Sequence, residues 1–150
     1  MPTSGSSALV LLHRAGQCAD ELFVHSIGTS NLTPRQFAVM AAIASSEEPS
    51  QTTLVNQTGV DRSTMADIVR RLTLRGLVQR RRTKRDARRY IVRLTAKGEE
   101  ALQLGESGAR RTDERLLNSL PPPQRTLFIR ALERILATVD LERPTPVGRT

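Results

Sequence analysis

The spacing of apolar residues predicts six helices and one two-stranded hairpin. In most of the chain, apolar positions recur every three to four residues, which is the period of an amphipathic helix. Capping residues precede these stretches and glycines follow several of them, as is common at helix ends. The expected helices cover residues 8 to about 27, 34 to about 46, 50–58, 62 to about 75, 96 to about 120, and a final segment after the prolines 121–123. The expected N-caps are Thr33 with Pro34 after it, Ser50, Asp61 and Thr95.

Between the fourth and fifth helices the pattern becomes extended. Tyr90, Val92 and Leu94 alternate with their neighbours over 90–94, and 77–80 supplies a second extended run. The connector 81–89 is too charged to be buried, so we expect a hairpin with a basic tip. The fold class is therefore mainly α with a small β-hairpin. Within the fifth helix, Gly105 and Gly108 predict a bend or a weak point, since each costs about 1 kcal/mol relative to alanine.

The fourth predicted helix has two distinct faces. One face is apolar and is expected to pack against a core: Met65, Ile68, Val69 and Leu72. The other has short or hydrogen-bonding side chains at the same spacing, with Arg62 beside them: Ser63, Ala66, Asp67 and Arg70. An exposed face of this kind is suited to insertion into a groove.

Positive charge is concentrated in one part of the chain. Residues 61–97 hold 13 of the 23 Lys and Arg residues but only three of the 15 acids, which gives a local net charge of +10. The remaining residues carry −2, so the total of +8 arises from this stretch alone. So concentrated a patch implies a polyanionic partner, whereas dispersed charge would have implied only solubility.

Composition argues against several other classes of protein. With 3% aromatic residues and no Trp, a reader that stacks bases of RNA or of single strands is poorly supported. The longest uncharged runs fall far short of the roughly 18 apolar residues of a membrane span, and the N-terminus does not resemble a signal peptide. The single cysteine cannot form an intramolecular disulfide, and no Cys or His cluster has the spacing of metal ligands. We expect a cytoplasmic protein without cofactor or membrane partner, and not an enzyme, because no nucleophile–base set is evident.

Two short helices, a turn and a basic hairpin in succession are typical of DNA-reading proteins. The helix pair alone would fit an ordinary helical hairpin equally well. The positive charge beside it favours a DNA-binding motif over that alternative. The segments LTPRQFAVMAAIA, TTLVNQTGVDRSTMADIVRRLTLRGLVQRR and RDARRYIVRLTAKG resemble the winged helix-turn-helix of the MarR family of bacterial transcriptional regulators. The resemblance spans residues 32 to about 102.

This resemblance implies a winged helix-turn-helix flanked by N- and C-terminal dimerisation helices. It places the DNA-binding domain at 32–98 and the dimerisation arms at 8–31 and 99–141; we expect a disordered tail at 1–7 and a flexible tail at 142–150. The implied homodimer sets its two recognition helices in successive major grooves of a pseudo-palindromic operator. The implied function is that of a repressor that releases its operator when a small, often aromatic, molecule binds.

The resemblance also implies roles for individual side chains. Six residues are expected to face base edges or nearby phosphates: Arg62, Ser63, Thr64, Ala66, Asp67 and Arg70. Five are expected to hold the DNA backbone, which sets position without sequence information: Thr52, Thr53, Lys84, Arg85 and Arg89. Arg88, at the wing tip, is expected to enter a narrow, A·T-rich minor groove.

Two acids within the basic stretch require their own interpretation. Many members of the family carry a Thr-Arg pair where this chain has Ala66-Asp67. Asp67 could accept a hydrogen bond from a cytosine amino group, but pairing with Arg70 or Arg71, three and four residues on, is the preferred interpretation. Asp86 is interpreted as a brace for a nearby arginine in the wing or the recognition helix.

In the family, a ligand cleft lies between the first, second and fifth helices and the winged domain. Arg14, His25 and Arg35 are candidates to meet an anionic ligand there, although each fits a surface role as well. Cys18 is a further candidate, since some relatives sense oxidants through a cysteine in the first helix; a buried, inert cysteine is the preferred interpretation. Two alternatives stay open: a redox-sensing regulator, and a winged-helix module that binds an acidic protein or membrane surface.

Overall fold

The computed structural model describes residues 7–86 and 88–142, apart from the side chain of Thr29. This part of the chain is mainly helical with one antiparallel hairpin, which confirms the predicted fold class. In chain order the elements are α1 (Ala8–Ser26), a short 3-10 turn (Gly28–Ser30), α2 (Pro34–Ser45), α3 (Gln51–Thr58), α4 (Arg62–Leu74), β1 (Val78–Arg82), β2 (Tyr90–Leu94), α5 (Ala96–Leu117) and α6 (Pro122–Glu142). The expected tails 1–7 and 142–150 lie outside the described residues, except for Ser7 and Glu142.

Local hydrogen bonds explain where α2, α3 and α4 begin. Thr33 and Gln36 form a capping box: the Thr33 hydroxyl accepts from the Gln36 backbone N–H at 3.0 Å, and the Gln36 side chain accepts from the Thr33 N–H at 3.2 Å. Ser50 accepts from the backbone N–H of Thr53 at 3.1 Å. Asp61 caps α4 in the same way. The N-caps predicted for these three helices are therefore confirmed.

The hairpin pairs β1 with β2 in antiparallel register, from Val78 opposite Leu94 to Arg82 opposite Tyr90. β1 continues two residues beyond the predicted strand, so that Arg81 and Arg82 belong to the strand and not to the connector. The guanidinium of Arg82 lies 5.6 Å from the centre of the Tyr90 ring, a cation–π distance. Cross-strand pairing thus accommodates charged residues that cannot be buried.

The core of the winged domain is formed by apolar side chains from α2, α3, α4 and the hairpin. The predicted inward face of α4 is confirmed, since all four of its apolar residues are buried. Between α2 and α3, the buried Pro49 accepts a hydrogen bond from the backbone N–H of Val92 at 2.8 Å. This bond ties the segment before α3 to β2. The fully buried side chains include Val39, Met40, Ile43, Leu54, Met65, Val69, Leu72, Val78 and Val92.

α5 is one continuous helix through Gly105 and Gly108, where the sequence predicts a bend or a weak point. Both glycines are buried. A Cβ on Gly105 would lie 2.6 Å from Cδ2 of Phe37, and one on Gly108 would lie 2.3 Å from Cγ2 of Ile27. The glycines therefore let α5 approach α2 and the end of α1 closely, and this packing offsets their low helix propensity.

The chain forms two compact units, residues 1–113 and 114–150. The first contains α1 to α4, the hairpin and most of α5. The second contains the end of α5 and α6. No residue of α6 is buried, and seven of its large apolar side chains are 43–87% exposed. They include Leu127, Phe128, Ile135, Leu136 and Val139.

Candidate nucleic-acid interface

α4 directs its apolar face into the core and its polar face towards solvent. On the polar side, Arg62, Ser63 and Arg70 are exposed, and three further residues are partly exposed: Thr64, Ala66 and Asp67. The structure therefore places all six residues predicted to face DNA on the part of α4 that solvent can reach. The buried face fixes the helix against the core, so this surface is held on a rigid element.

The carboxylate of Asp61 organises the first turn of α4. Its Oδ1 accepts from the Ser63 hydroxyl at 2.8 Å and from the Thr64 backbone N–H at 2.9 Å, and its Oδ2 accepts from the Thr64 hydroxyl at 2.7 Å. These bonds, led by the one from the Thr64 N–H, lower the pKa of Asp61 from 3.8 to about 2. Because both hydroxyl protons are directed at Asp61, Ser63 and Thr64 present mainly acceptor lone pairs outward.

Asp67 pairs with two arginines of α4 at once. Its Oδ1 accepts from Nη2 of Arg70 at 2.7 Å, and its Oδ2 accepts from Nε of Arg71 at 2.8 Å. The hydrogen bond from Arg70 is the main cause that lowers the pKa of the Asp67 carboxyl, with Arg71 adding to it. The pairing preferred from the sequence is therefore confirmed, and it includes both arginines.

The wing tip is closed by a compact set of hydrogen bonds. The Thr83 N–H donates to the Arg89 carbonyl and the Arg89 N–H donates to the Asp86 carbonyl, both at 3.0 Å. The Thr83 hydroxyl donates to the same Asp86 carbonyl at 2.8 Å. Within this segment, Ala87 lies outside the described residues.

Asp86 braces the wing differently from the prediction. Its Oδ1 accepts from the backbone N–H of Arg88 at 2.9 Å, and no ion pair of Asp86 is found in the described part of the chain. A short aspartate side chain in a turn reaches the N–H two residues on more readily than it reaches a guanidinium. The partner is thus the Arg88 main chain, which leaves the exposed Arg88 side chain available to a ligand.

The start of α3 and the wing border a common cleft of about 220 Å³. Thr53, Arg85 and Arg89 line it, so three of the predicted phosphate-holding residues lie together. The Thr53 hydroxyl is engaged with that of Ser50 at 2.9 Å. Lys84 lines a separate cleft of about 590 Å³ along the hairpin, also lined by Arg81, Arg82 and Arg85. Thr52 is exposed, and Nη1 of Arg62 donates to its hydroxyl at 3.5 Å.

Sequence reasoning missed the residues that hold the C-terminal end of α4. The guanidinium of Arg75 donates to the carbonyls of Ser30 at 3.0 Å and Asn31 at 3.1 Å, in the loop before α2. Nζ of Lys97, at the start of α5, donates to the Arg75 carbonyl at 3.1 Å. These partners are 22 to 45 residues apart in the chain, so no local pattern could reveal them. They position the C-terminal end of α4.

Of the four residues predicted to meet a ligand, one lines a cleft that the others do not line. Arg35 lines a cleft of about 690 Å³ formed by α1, α2 and the turn between α3 and α4, with Asp20 and Asp61 among its other lining residues. Arg14 and His25 are exposed on α1 and do not line this cleft. The four candidates are therefore not gathered around it.

Cys18 is exposed, so the expectation of a buried cysteine is wrong for this chain. α1 directs Phe23 and the adjoining Ile27 into the core. Cys18 lies five residues before Phe23, which places it roughly 140° away around the helix. Apolar residues at helical spacing thus located the helix correctly but not its buried side.

Within residues 7–86 and 88–142, no group of three or more His, Cys, Asp or Glu side chains could hold a metal ion. No helix in this part of the chain is long and apolar enough to cross a membrane.

Together, α3, α4 and the hairpin form a winged helix-turn-helix, and comparison with known proteins gives its family. A model described as the MarR family matches residues 30–89. The transcriptional regulator HosA of Escherichia coli O157:H7 is 34% identical over 112 residues, which cover 72% of this chain and 80% of HosA. This chain belongs to the MarR family of winged-helix transcriptional regulators.

Solved structures show the same fold. The transcriptional regulator PcaV of Streptomyces coelicolor, solved with its natural ligand, aligns with a TM-score of 0.81 and 26% identity over 93% of this chain and 99% of PcaV. The transcriptional repressor CouR, solved on a 23-mer DNA duplex, aligns with a TM-score of 0.78 and 29% identity over 86% of this chain and 92% of CouR.

Proposed function

We propose that the chain is a cytoplasmic, homodimeric regulator that binds double-stranded DNA at a pseudo-palindromic operator and represses transcription until a small molecule binds. The main support for this proposal is the way in which α4 is exposed. Its apolar face is buried, while Arg62, Ser63 and Arg70 are exposed within the most basic stretch of the chain. A helix that reads a major groove needs exposed side chains on a firmly held element.

The contacts with DNA divide between α4 and the surrounding basic residues. In this proposal α4 faces base edges with Arg62, Ser63, Thr64, Ala66, Asp67 and Arg70. The backbone is held by Thr52, Thr53, Lys84, Arg85 and Arg89, and Arg88 enters the minor groove. Thr53, Arg85 and Arg89 line one cleft together with Glu48 and Asp86, and its two guanidinium groups support a phosphate site where α3 meets the wing. The complex of CouR with a DNA duplex supports the same partner for this chain.

Homodimerisation is proposed from exposed apolar surface. Leu9, Leu11 and Leu12 on α1 are 53–76% exposed, and α6 has no buried residue in the described chain. A second copy would remove this apolar surface from water and would set two copies of α4 on one duplex. The dimerisation arms are therefore assigned to 8–31 and 99–141.

A small aromatic molecule is proposed as the effector. PcaV was solved with its natural ligand, which supports ligand control in this chain as well. Arg35 lines the cleft beside the turn between α3 and α4 and is the first candidate to meet the effector, with Arg14, Cys18 and His25 as the others. A coupling of about 1–3 kcal/mol would be enough to weaken operator binding several-fold to over a hundredfold.

The test is a competition between two duplexes of equal length, the promoter region of the protein's own gene and random-sequence DNA. We expect preferential binding of the promoter fragment, with affinity falling about a thousandfold or more between about 50 and 200 mM salt. Equal binding of both duplexes would contradict a sequence-specific regulator. That result would favour a module that uses its basic face on another acidic partner.

A further inference from the structure

The carboxylate shared by Arg70 and Arg71 lies on the solvent side of α4. The side chains of Arg70 and Arg71 are 59% and 62% exposed, and that of Asp67 is 45% exposed. Ion pairs this exposed contribute little to the stability of a fold, because water and salt compete with them. Stability therefore does not explain why two arginines are held by one acid on this surface. A better explanation is that Asp67 fixes the orientation of the two arginine side chains.

We infer that Asp67 is a specificity-determining residue that holds Arg70 for recognition of a guanine while reducing the affinity of α4 for phosphate. The inference rests on the proposed DNA-binding function. A guanidinium has five N–H donors in one plane, and Asp67 Oδ1 accepts from Nη2 of Arg70. The donors left on Arg70 are enough for a bidentate contact with O6 and N7 of guanine, which both accept.

The pairing with Asp67 favours the contact between Arg70 and guanine in two ways. A free arginine loses much conformational freedom when it binds, and one already oriented by a carboxylate loses less. The planar guanidinium also has to align with the edge of the base, so a fixed orientation discriminates between bases. Arg71, held through Nε, keeps both Nη groups for a neighbouring phosphate.

The negative charge of Asp67 adds discrimination against DNA without the guanine. With Asp67 ionised, the three side chains carry +1 where the two arginines alone would carry +2. Affinity for any duplex rises with the number of phosphates that cations neutralise, so this acid lowers sequence-independent binding. Specificity is a difference of affinities, and weakening the wrong complexes increases it.

The test uses the full-length protein and a duplex that the wild type selects from a random-sequence pool. Asp67→Asn removes the charge and leaves a weaker partner for the arginines. We expect it to bind random duplex about three- to tenfold more tightly, with a salt slope steeper by about 1, and to lose about tenfold in the ratio of selected to random affinity. Asp113→Asn, which makes the same change on α5, is the matched control and should leave the ratio unchanged.

Atomic replacement in the DNA tests the guanine directly. Replacing the guanine common to both half-sites by 7-deazaguanine removes the N7 acceptor. We expect the wild type to lose about five- to tenfold in affinity, and Asp67→Asn and Arg70→Ala to lose less. Asp67→Glu, which keeps the charge and can still pair four residues along the helix, should recover part of the discrimination.

The results separate this inference from the proposed function. A wild type that selects a sequence, together with an Asp67→Asn variant of unchanged preference and ratio, would overturn the role of Asp67 alone. A selected site with no guanine common to its half-sites would do the same. A wild type that prefers no duplex over random DNA would overturn the proposed function and this inference with it.

Discussion

A Cβ atom on Gly98 would lie 1.9 Å from the backbone carbonyl oxygen of Leu77. The same oxygen accepts from the Thr95 N–H at 3.0 Å, so the first turn of α5 packs directly on the chain before β1. Because the obstacle is backbone, Gly98→Ala should lower the free energy of unfolding by about 1–3 kcal/mol, as overpacking does. Urea denaturation measures this loss, which would occur despite the gain of about 1 kcal/mol in helix propensity.

Gly16→Ala is the control for this substitution. Gly16 lies in α1, where an added Cβ would have nothing within 4 Å. Its replacement should leave the free energy of unfolding unchanged or raise it by up to about 1 kcal/mol. Equal stability of the two variants would show that Leu77 and Gly98 are not in close contact.

The sequence could predict those features of the fold that depend on residues close together in the chain. Helix starts depend on residues a few positions apart, so Thr33, Ser50 and Asp61 identified them correctly. Glycine propensity is also local, and it predicted a weak point in α5. The packing partners of those glycines, such as Ile27 against Gly108, are distant in the chain, and no local pattern reveals them.

In the candidate site, too, the interactions between residues close together on one helix were predictable and the others were not. The pairing of Asp67 with arginines three and four residues on follows from helical geometry and was predictable. The bond from the Arg88 N–H to Asp86 depends on the path of the turn, which the sequence left open. The contact of Arg75 with Ser30 joins segments 45 residues apart and was beyond sequence reasoning.

Arg88 provides a direct test of the wing. Its backbone is held by Asp86 and its side chain is exposed, so Arg88→Ala should remove a DNA contact without disturbing the turn. We expect the affinity for the selected duplex to fall about tenfold, with the largest loss where A·T-rich sequence flanks the site. A gel-shift titration measures this. Arg110→Ala, on the exposed side of α5, should bind as the wild type does; equal affinities of the two variants would remove Arg88 from the interface.

The cap of α4 predicts a pH dependence of stability. The folded-state pKa of Asp61 is about 2, below its ordinary value of 3.8, so its hydrogen bonds stabilise the fold fully above the higher value. That contribution is lost as the pH falls from 3.8 towards 2. Asp61→Asn keeps a capping oxygen but cannot be protonated in this range, so its urea midpoint should fall less than that of the wild type on acidification. If Asp113→Asn reduces the acid sensitivity equally, the effect does not come from the cap.

The exposed apolar stripe of α6 predicts dimerisation that a single charge should weaken. Leu136 is 62% exposed, and Ile135 and Val139 beside it are about half exposed. If a second copy covers this stripe, Leu136→Lys buries a charge in the interface and should raise the dimer dissociation constant by about thirtyfold or more, as loss of a central contact does. Sedimentation equilibrium measures that constant. Gln124→Lys adds the same charge at an exposed polar position of α6 and should leave the dimer intact, whereas equal dissociation constants for the two variants would contradict the placement of this stripe in the interface.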